Sequence, residues 1–253
     1  MLARDDQGVR VASNSVPTVR AITSGEPAKG ASRSRFIRTT GGDKHVKFLR
    51  SDGEGPHALA NEYISNRVLQ SLGTERPGLA FVVLPEALRR AEPELQAVTC
   101  LTGIGLDILP LAQDLYGPMI AAAAETAPDT ELFAQSLALD LVQSNDHWGK
   151  NFLHFDRRVI AIDFAGSPGE ENWRCHPFDG PDYDHGGLAD RVRRADRAAR
   201  EAVLTAFDAL DGDTLRRMAE EMPQEWAAPP DRDRMVDKLL ARKEEVRERH
   251  SRT

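Results

Sequence analysis

Between Val16 and Leu49 the apolar residues fall in short runs separated by Gly- and Ser-rich turns, the spacing of strands rather than of helices. The segment FIRTTGGDKHVKFL predicts a hairpin, with strands over 36–38 and 46–49 joined through Gly41, Gly42 and Asp43. From 57 to 72 the pattern becomes helical, and Gly73 stands where a left-handed C-terminal cap is expected. LAFVVLP (79–85) predicts a buried strand stopped by Pro85, and LQAVTCL (95–101) predicts a second. Beyond about residue 110 helical patterns take over, at 112–124 and 130–143. A second hairpin follows, turning at Asp156, Arg157 and Arg158. The tail from about Leu188 to Arg249 is helical, with a break at EMPQEWAAPP (221–230). No internal repeat is visible, and the first fifteen residues are polar and unpatterned. A β-rich half with one helix, followed by a mainly helical half, predicts an α+β chain of two lobes. The expected division is a loose tail over 1–15, an N-terminal lobe over 16–105 and a C-terminal lobe over 106–253.

Composition narrows the function classes. Acidic residues exceed basic ones by 40 to 33, a net charge of −7, which argues against broad binding to nucleic acid or to an anionic membrane. The two cysteines, Cys100 and Cys175, lie far apart and lack metal-ligand spacing, so neither a disulfide framework nor a zinc site is expected and a reducing cytoplasm is the default. No apolar leader and no apolar run of about 18 residues occurs, so no signal peptide or membrane span is expected.

The densest chemistry sits in SNDHWGKNFLHFDRRVIAIDFAG (144–166). Asp146 and Asn151 stand five apart, and Asp163 follows at the end of the apolar run VIAI. Phosphoryl transfer requires an acid beside the attacking hydroxyl, oxygen ligands for a divalent cation, and a cation on the phosphate oxygens. A loop Asp, an Asn just after it and an Asp delivered by the next hairpin match the first two needs, Asn151 and Asp163 being hard oxygen donors suited to Mg²⁺. A turn capped by Asp146 and Asn151, with Asp163 ending a strand, accounts for the same residues without chemistry. His147 is placed to brace the loop, and Lys150 either faces phosphate or is solvated.

The third need is met upstream. Lys47 lies between Val46 and Phe48 and so points to the opposite face of its strand. On the following helix Glu62 falls between Leu59 and Leu69, in an apolar sector where a carboxylate needs a partner. Lys47 is the partner expected. The Gly- and Ser-rich SGEPAKGASRSRF (24–36), including Gly30, Ala31, Ser32 and Ser34, offers backbone amides and hydroxyls to phosphate oxygens. An edge lysine, a rim glutamate and a flexible turn are the plain alternatives for each taken alone.

Taken in order, these stretches resemble the HipA-like kinases, relatives of the phosphoinositide lipid kinases within the protein-kinase-like superfold. SGEPAKGASRSRFIRTTGGDKHVKFL is similar to the family's phosphate loop and strand lysine, and LANEYISNRVLQSLG to its glutamate helix. SNDHWGKNFL is similar to its catalytic loop and IDFAG to its metal-binding acid, while 101–119 has no counterpart. The resemblance implies a two-lobed kinase that binds ATP and Mg²⁺ between its lobes. Lys47, held by Glu62, would contact the α- and β-phosphates, Gly30, Ala31, Ser32 and Ser34 would cover them, Asn151 and Asp163 would hold the metal, and Asp146 would act as base. The implied acceptor is a hydroxyl, foremost Ser or Thr of a protein. A small-molecule kinase or nucleotidyl transferase using the same site, and a nucleotide-binding pseudokinase, are the alternatives. No nucleic-acid partner is expected, and no DNA-binding helix-turn-helix is seen.

Overall fold

The structure is a computed structural model that describes residues 15–27, 34–53, 55–142, 151–164 and 188–251. Five strands close into a small barrel: β1 (Thr18–Pro27), β2 (Arg35–Thr39), β3 (Gly42–Lys47), β4 (Leu79–Val83) and β5 (Thr102–Asp107). Their order is β1-β2-β3-β5-β4, and parallel pairing of Thr18 with Phe81 joins the two ends. The predicted hairpin is β2–β3, with Thr39 paired to Gly42. Gly42 adopts φ +97°, and Thr39 Oγ1 donates to its carbonyl at 2.7 Å, so the turn uses a glycine where a side chain would be strained. Ile37, Val46, Val82 and Leu84 fill the barrel with Leu95 and Val98.

Between β3 and β4 runs helix α1 (Pro56–Ser71), starting at a proline and ending before Gly73, which takes φ +80°. A shorter helix, α2 (Glu86–Ala91), follows β4. LQAVTCL does not form the expected strand. Leu95 closes a 3-10 turn and Val98 makes a single bridge to Arg50, although both side chains are buried in the barrel. The strand is β5 instead, which carries Gly103 and Gly105 and therefore gives a weak strand signal. The glycines are required by packing: a Cβ on Gly103 would lie 2.5 Å from the Lys47 carbonyl oxygen, and one on Gly105 would lie 2.6 Å from a Val82 methyl.

The remainder is built on a second sheet and a helical cluster. Strands β6 (Gln113–Leu115), β7 (Phe152–Phe155) and β8 (Arg158–Ala161) form a meander, β7 and β8 turning at Asp156 and Arg157. The helix expected from 112 begins only at Pro118, as α3 (Pro118–Ala124). Residues 113–115 pair with β7, and Gly117 at φ +48° breaks the two apart. Helix α4 (Asp129–Leu141) is buried on every side and packs against α1, β8 and three later helices: α5 (Leu188–Arg193), α6 (Arg197–Asp208) and α8 (Pro229–Ser251). Helix α7 (Gly212–Glu220) packs on α8, and the tail has interruptions beyond the predicted one, with Asp196 and Asp211 capping α6 and α7. No helix among the described residues is long and apolar enough to cross a membrane.

One apolar core runs from α1, Leu79 and Ile104 through α4 to α8. The break after α7 contributes Trp226, 1% exposed, whose ring lies 5.7 Å from Phe81 and 6.4 Å from Tyr63. Its indole N–H donates to the Thr102 carbonyl at 3.2 Å. Beside it, Tyr63 Oη donates to Glu221 at 2.5 Å. The segment between α7 and α8 thus closes over α1 and β4. Truncating Trp226 to Ala is expected to cost about 3–5 kcal/mol in urea unfolding, because it empties a ring-sized volume and removes a hydrogen bond to the Thr102 carbonyl. A loss below about 1 kcal/mol would show that this segment does not anchor the helix.

Candidate active site

Strand alternation sends Val46 into the barrel and Lys47 out of it, toward α1. There Lys47 Nζ lies 3.0 Å from Glu62 Oε2 and 2.5 Å from Asp163 Oδ1. Glu62 is 1% exposed and Lys47 8%, so this is a buried ion pair, whereas the Asp163 side chain remains 43% exposed. Burial alone would pull the Lys47 ammonium down. The fields of Glu62 and Asp163 and its hydrogen bonds to them outweigh that and hold it above its ordinary value, so it stays charged.

Glu62 is satisfied on both oxygens. Oε2 also accepts the Phe164 amide at 2.9 Å, and Oε1 accepts Asn66 Nδ2 at 3.1 Å. Asn66 Oδ1 in turn accepts Arg76 Nε at 2.9 Å, and Arg76 Nη2 donates to the Ala161 carbonyl at 2.5 Å. Arg76 also lies over the Phe164 ring, 5.3 Å from its centroid. Burial lowers its pKa to about 10, which leaves the guanidinium protonated at neutral pH. On the outer edge of β8, Gln135 of α4 donates to the Val159 carbonyl and accepts the Ala161 amide at 2.7 Å. A continuous polar chain therefore leads from the strand lysine through α1 to β8 and α4.

Asn151 and Asp163 stand together at the open end of the β7–β8 hairpin. Phe152 pairs with Ala161, and the Ile162 amide donates to the Asn151 carbonyl at 2.9 Å, so Asp163 is one residue beyond Asn151's opposite. Both take left-handed backbone, φ +63° for Asn151 and +62° for Asp163, a region that Asn and Asp enter more readily than other non-glycine residues. The turn at Asp163 precedes the Phe164 amide that Glu62 accepts. One amide oxygen and one carboxylate suit a hard divalent cation that takes its other ligands from a substrate. Among the described residues no group of three or more His, Cys, Asp and Glu side chains is placed to hold a metal by itself.

The structure thus brings Lys47, Glu62 and Asp163 into contact and sets Asn151 at the same hairpin mouth. Asp146, Gly30, Ala31 and Ser32 lie outside the described residues, as do His147 and Lys150. Ser34, buried at 2% exposure, stands directly before β2, so the Gly/Ser segment joins β1 to β2. At the near end of that segment Arg35 donates to Ser24 Oγ at 3.0 Å and to the Gly25 carbonyl at 2.7 Å. Four residues of the surroundings went unread in the sequence: His45, Asn66, Arg76 and Gln135. His45 shares the strand face of Lys47 by its i, i−2 spacing. Burial, then the charge of Lys47, lower its pKa. Asn66 sits one helical turn after Glu62, a spacing that marks a potential partner. Arg76 and Gln135 carry no such local mark.

No family model matches the chain, and no curated protein matches it. Solved structures do. It is similar to a Helicobacter pylori proinflammatory kinase, CtkA, with a TM-score of 0.54 and 11% identity over 93% of this chain and 97% of that one. It is also similar to the Golgi casein kinase, solved alone and with Mn and ADP bound, with a TM-score of 0.48 in each case, at 13% and 12% identity, over 93% of this chain and 73% of those. The first likeness shows a shared fold: kinase-like, mixed α and β, with a β-rich N-terminal part.

Removing one member of a buried pair leaves the other charge uncompensated. Lys47→Met is expected to lose about 3–5 kcal/mol of stability. Glu62→Gln should lose less, since Asp163 still meets the lysine. The double variant should be less damaged than the sum of the two in denaturant melts. Additive losses would mean that the contact is energetically empty.

Proposed function

We propose that the chain is an ATP- and Mg²⁺-dependent kinase of the HipA-like type, transferring the γ-phosphate to a hydroxyl, foremost Ser or Thr of a protein in the cytoplasm. The observation that carries this reading is the position of Lys47 Nζ between the carboxylates of Glu62 and Asp163, at 3.0 and 2.5 Å. A lysine fixed by a helix glutamate, next to a hairpin acid, is the constellation that phosphoryl transfer in kinases uses. The fold shared with a kinase agrees with it. The barrel with α1 would form one lobe and the helical part the other, the passage between them following Asp107.

In this reading Lys47 holds the α- and β-phosphates, and Glu62 keeps its ammonium aimed. A phosphate oxygen at Lys47 competes with Asp163, which is half-exposed and freed to face the metal. Asn151 and Asp163 would hold the divalent cation, which supplies charge neutralisation on the phosphate oxygens. Backbone amides of the β1–β2 segment, from Gly30, Ala31 and Ser32 to Ser34, cover the phosphates and exclude water. Asp146 orients the acceptor hydroxyl and takes its proton. The new bond joins the acceptor oxygen to the γ-phosphorus, the bond from that phosphorus to the β-phosphate oxygen breaks, and ADP leaves. General-base assistance of this kind contributes about 10²–10⁴ in rate.

Two measurements test this. Thermal stabilisation by ATP should require Mg²⁺ in the parent and vanish in Asp163→Ala, which should remain folded without nucleotide because Glu62 still meets Lys47. Equal ATP shifts in both proteins, with Mg²⁺ present, would remove Asp163 from the metal site. Asp146→Asn should bind ATP as the parent does while transfer falls by about 10²–10⁴. Mass spectrometry of the chain and of cell extract after incubation with ATP reads the product. Phosphoserine or phosphothreonine absent from the Asp146→Asn sample is the expected result. A labelled metabolite without labelled protein moves the acceptor to a small molecule, and added AMP overturns the reaction type.

A further inference from the structure

A second concave site lies away from the lysine cluster. A cavity of about 770 Å³ is bounded by residues 15–17 before β1, the C-terminal half of α1, the 74–79 connection, α6 with the residues after it, and α7. Its size is that of a small-molecule site, and none of Lys47, Glu62, Asn151 and Asp163 lines it. Three guanidinium groups do, those of Arg67, Arg76 and Arg217, against one carboxylate, Glu221.

That carboxylate is already engaged, accepting Tyr63 Oη at 2.5 Å and facing Arg67 Nη2 at 3.4 Å. Asp211, the acid whose field reaches Arg217, is held as the N-cap of α7, accepting the Thr214 amide at 2.8 Å. Arg217 is exposed and donates to Thr214 Oγ1 at 3.1 Å. Arg76 directs Nε and Nη2 to Asn66 and Ala161, and its remaining nitrogen, Nη1, is buried with no acceptor among the described residues. That nitrogen is sealed from the cavity, so Arg76 brings its charge to this wall and not a donor within reach of a ligand. The hydroxyls of Ser71 and Thr214 and the amide of Gln70 add neutral polar groups, and Leu79, Leu210 and Met218 add an apolar patch.

An excess of guanidinium over carboxylate, with hydroxyls nearby, matches a compact dianion having three acceptor oxygens, and the apolar patch leaves room for a short carbon skeleton. We propose that this cavity binds a small phosphate monoester, its phosphate on Arg67 and Arg217 with the buried Arg76 charge behind them, and its carbon part against Leu79, Leu210 and Met218. The proposal stands apart from phosphoryl transfer at Lys47, since it concerns a different set of lining residues and is tested by binding alone.

Isothermal titration of the full chain with free O-phosphoserine, in a chloride buffer of low ionic strength, is the test, with serine as the control. Saturable one-to-one binding of O-phosphoserine and none of serine is expected. Arg217→Glu, an exposed substitution, should weaken it about tenfold or more, and Arg217→Gln should weaken it less, keeping the comparison available if the charge reversal disturbs folding. Absence of saturable binding to the parent overturns the proposal. So does equal affinity of parent and folded variants, which puts the anion elsewhere, as at Lys47, and so does equal binding of serine.

Discussion

A buried charge pair governs this structure. Glu62 sits on a helix that is enclosed nearly all round, and the cost of burying its carboxylate there is offset by Lys47 Nζ 3.0 Å away and by two N–H groups, from Phe164 and Asn66, that complete its bonding. The pair ties β3 of the barrel to α1, and the Asp163 contact ties both to the hairpin of the second sheet. Three segments far apart in sequence must therefore reach one point before any of them is satisfied. The neighbouring strand packs closely on the backbone that carries the lysine, for Gly103 lies against the Lys47 carbonyl where a Cβ would not fit.

The helical part secures the other end of this arrangement. Arg76 and Gln135 bond the backbone of β8 from α1's side and from α4's side, which fixes the strand that delivers Asp163. The segment after α7 holds α1 from outside through Trp226, Tyr63 and Glu221. The glutamate helix is thus gripped along its length by residues remote from the chemistry. If the site positions phosphates as proposed, such preorganisation would be the main protein contribution.

Local signals made much of this legible. The β2–β3 turn, the Gly73 cap and the β7–β8 hairpin were readable because glycine, Asn and Asp at tight turns answer to backbone sterics within a few residues. Glu62 was readable as a residue in need of a partner because a carboxylate in an apolar helix sector is costly wherever the helix packs. The readings that failed were those in which burial and secondary structure part company. LQAVTCL is apolar because it plugs the barrel, not because it pairs as a strand. Thr102–Asp107 pairs on both sides although its glycines weaken the pattern. Gln113–Leu115 was counted into a helix because three residues are too few to show a period of two.

By itself, then, the sequence determined the element types where turns and caps are local, the acidic balance of the chain, and the set of lysine, glutamate, asparagine and aspartate residues fit for phosphate and metal. The tertiary structure decided which of them meet. It placed Asp163 as well as Glu62 on Lys47, joined Asn66, Arg76 and Gln135 into one polar chain, and closed five strands into a barrel through a parallel β1–β4 pairing. Those contacts link residues as much as 116 positions apart. Their energies come from burying charge and satisfying backbone groups in a shared interior, and no local pattern of residues encodes a distance between segments that only packing brings together.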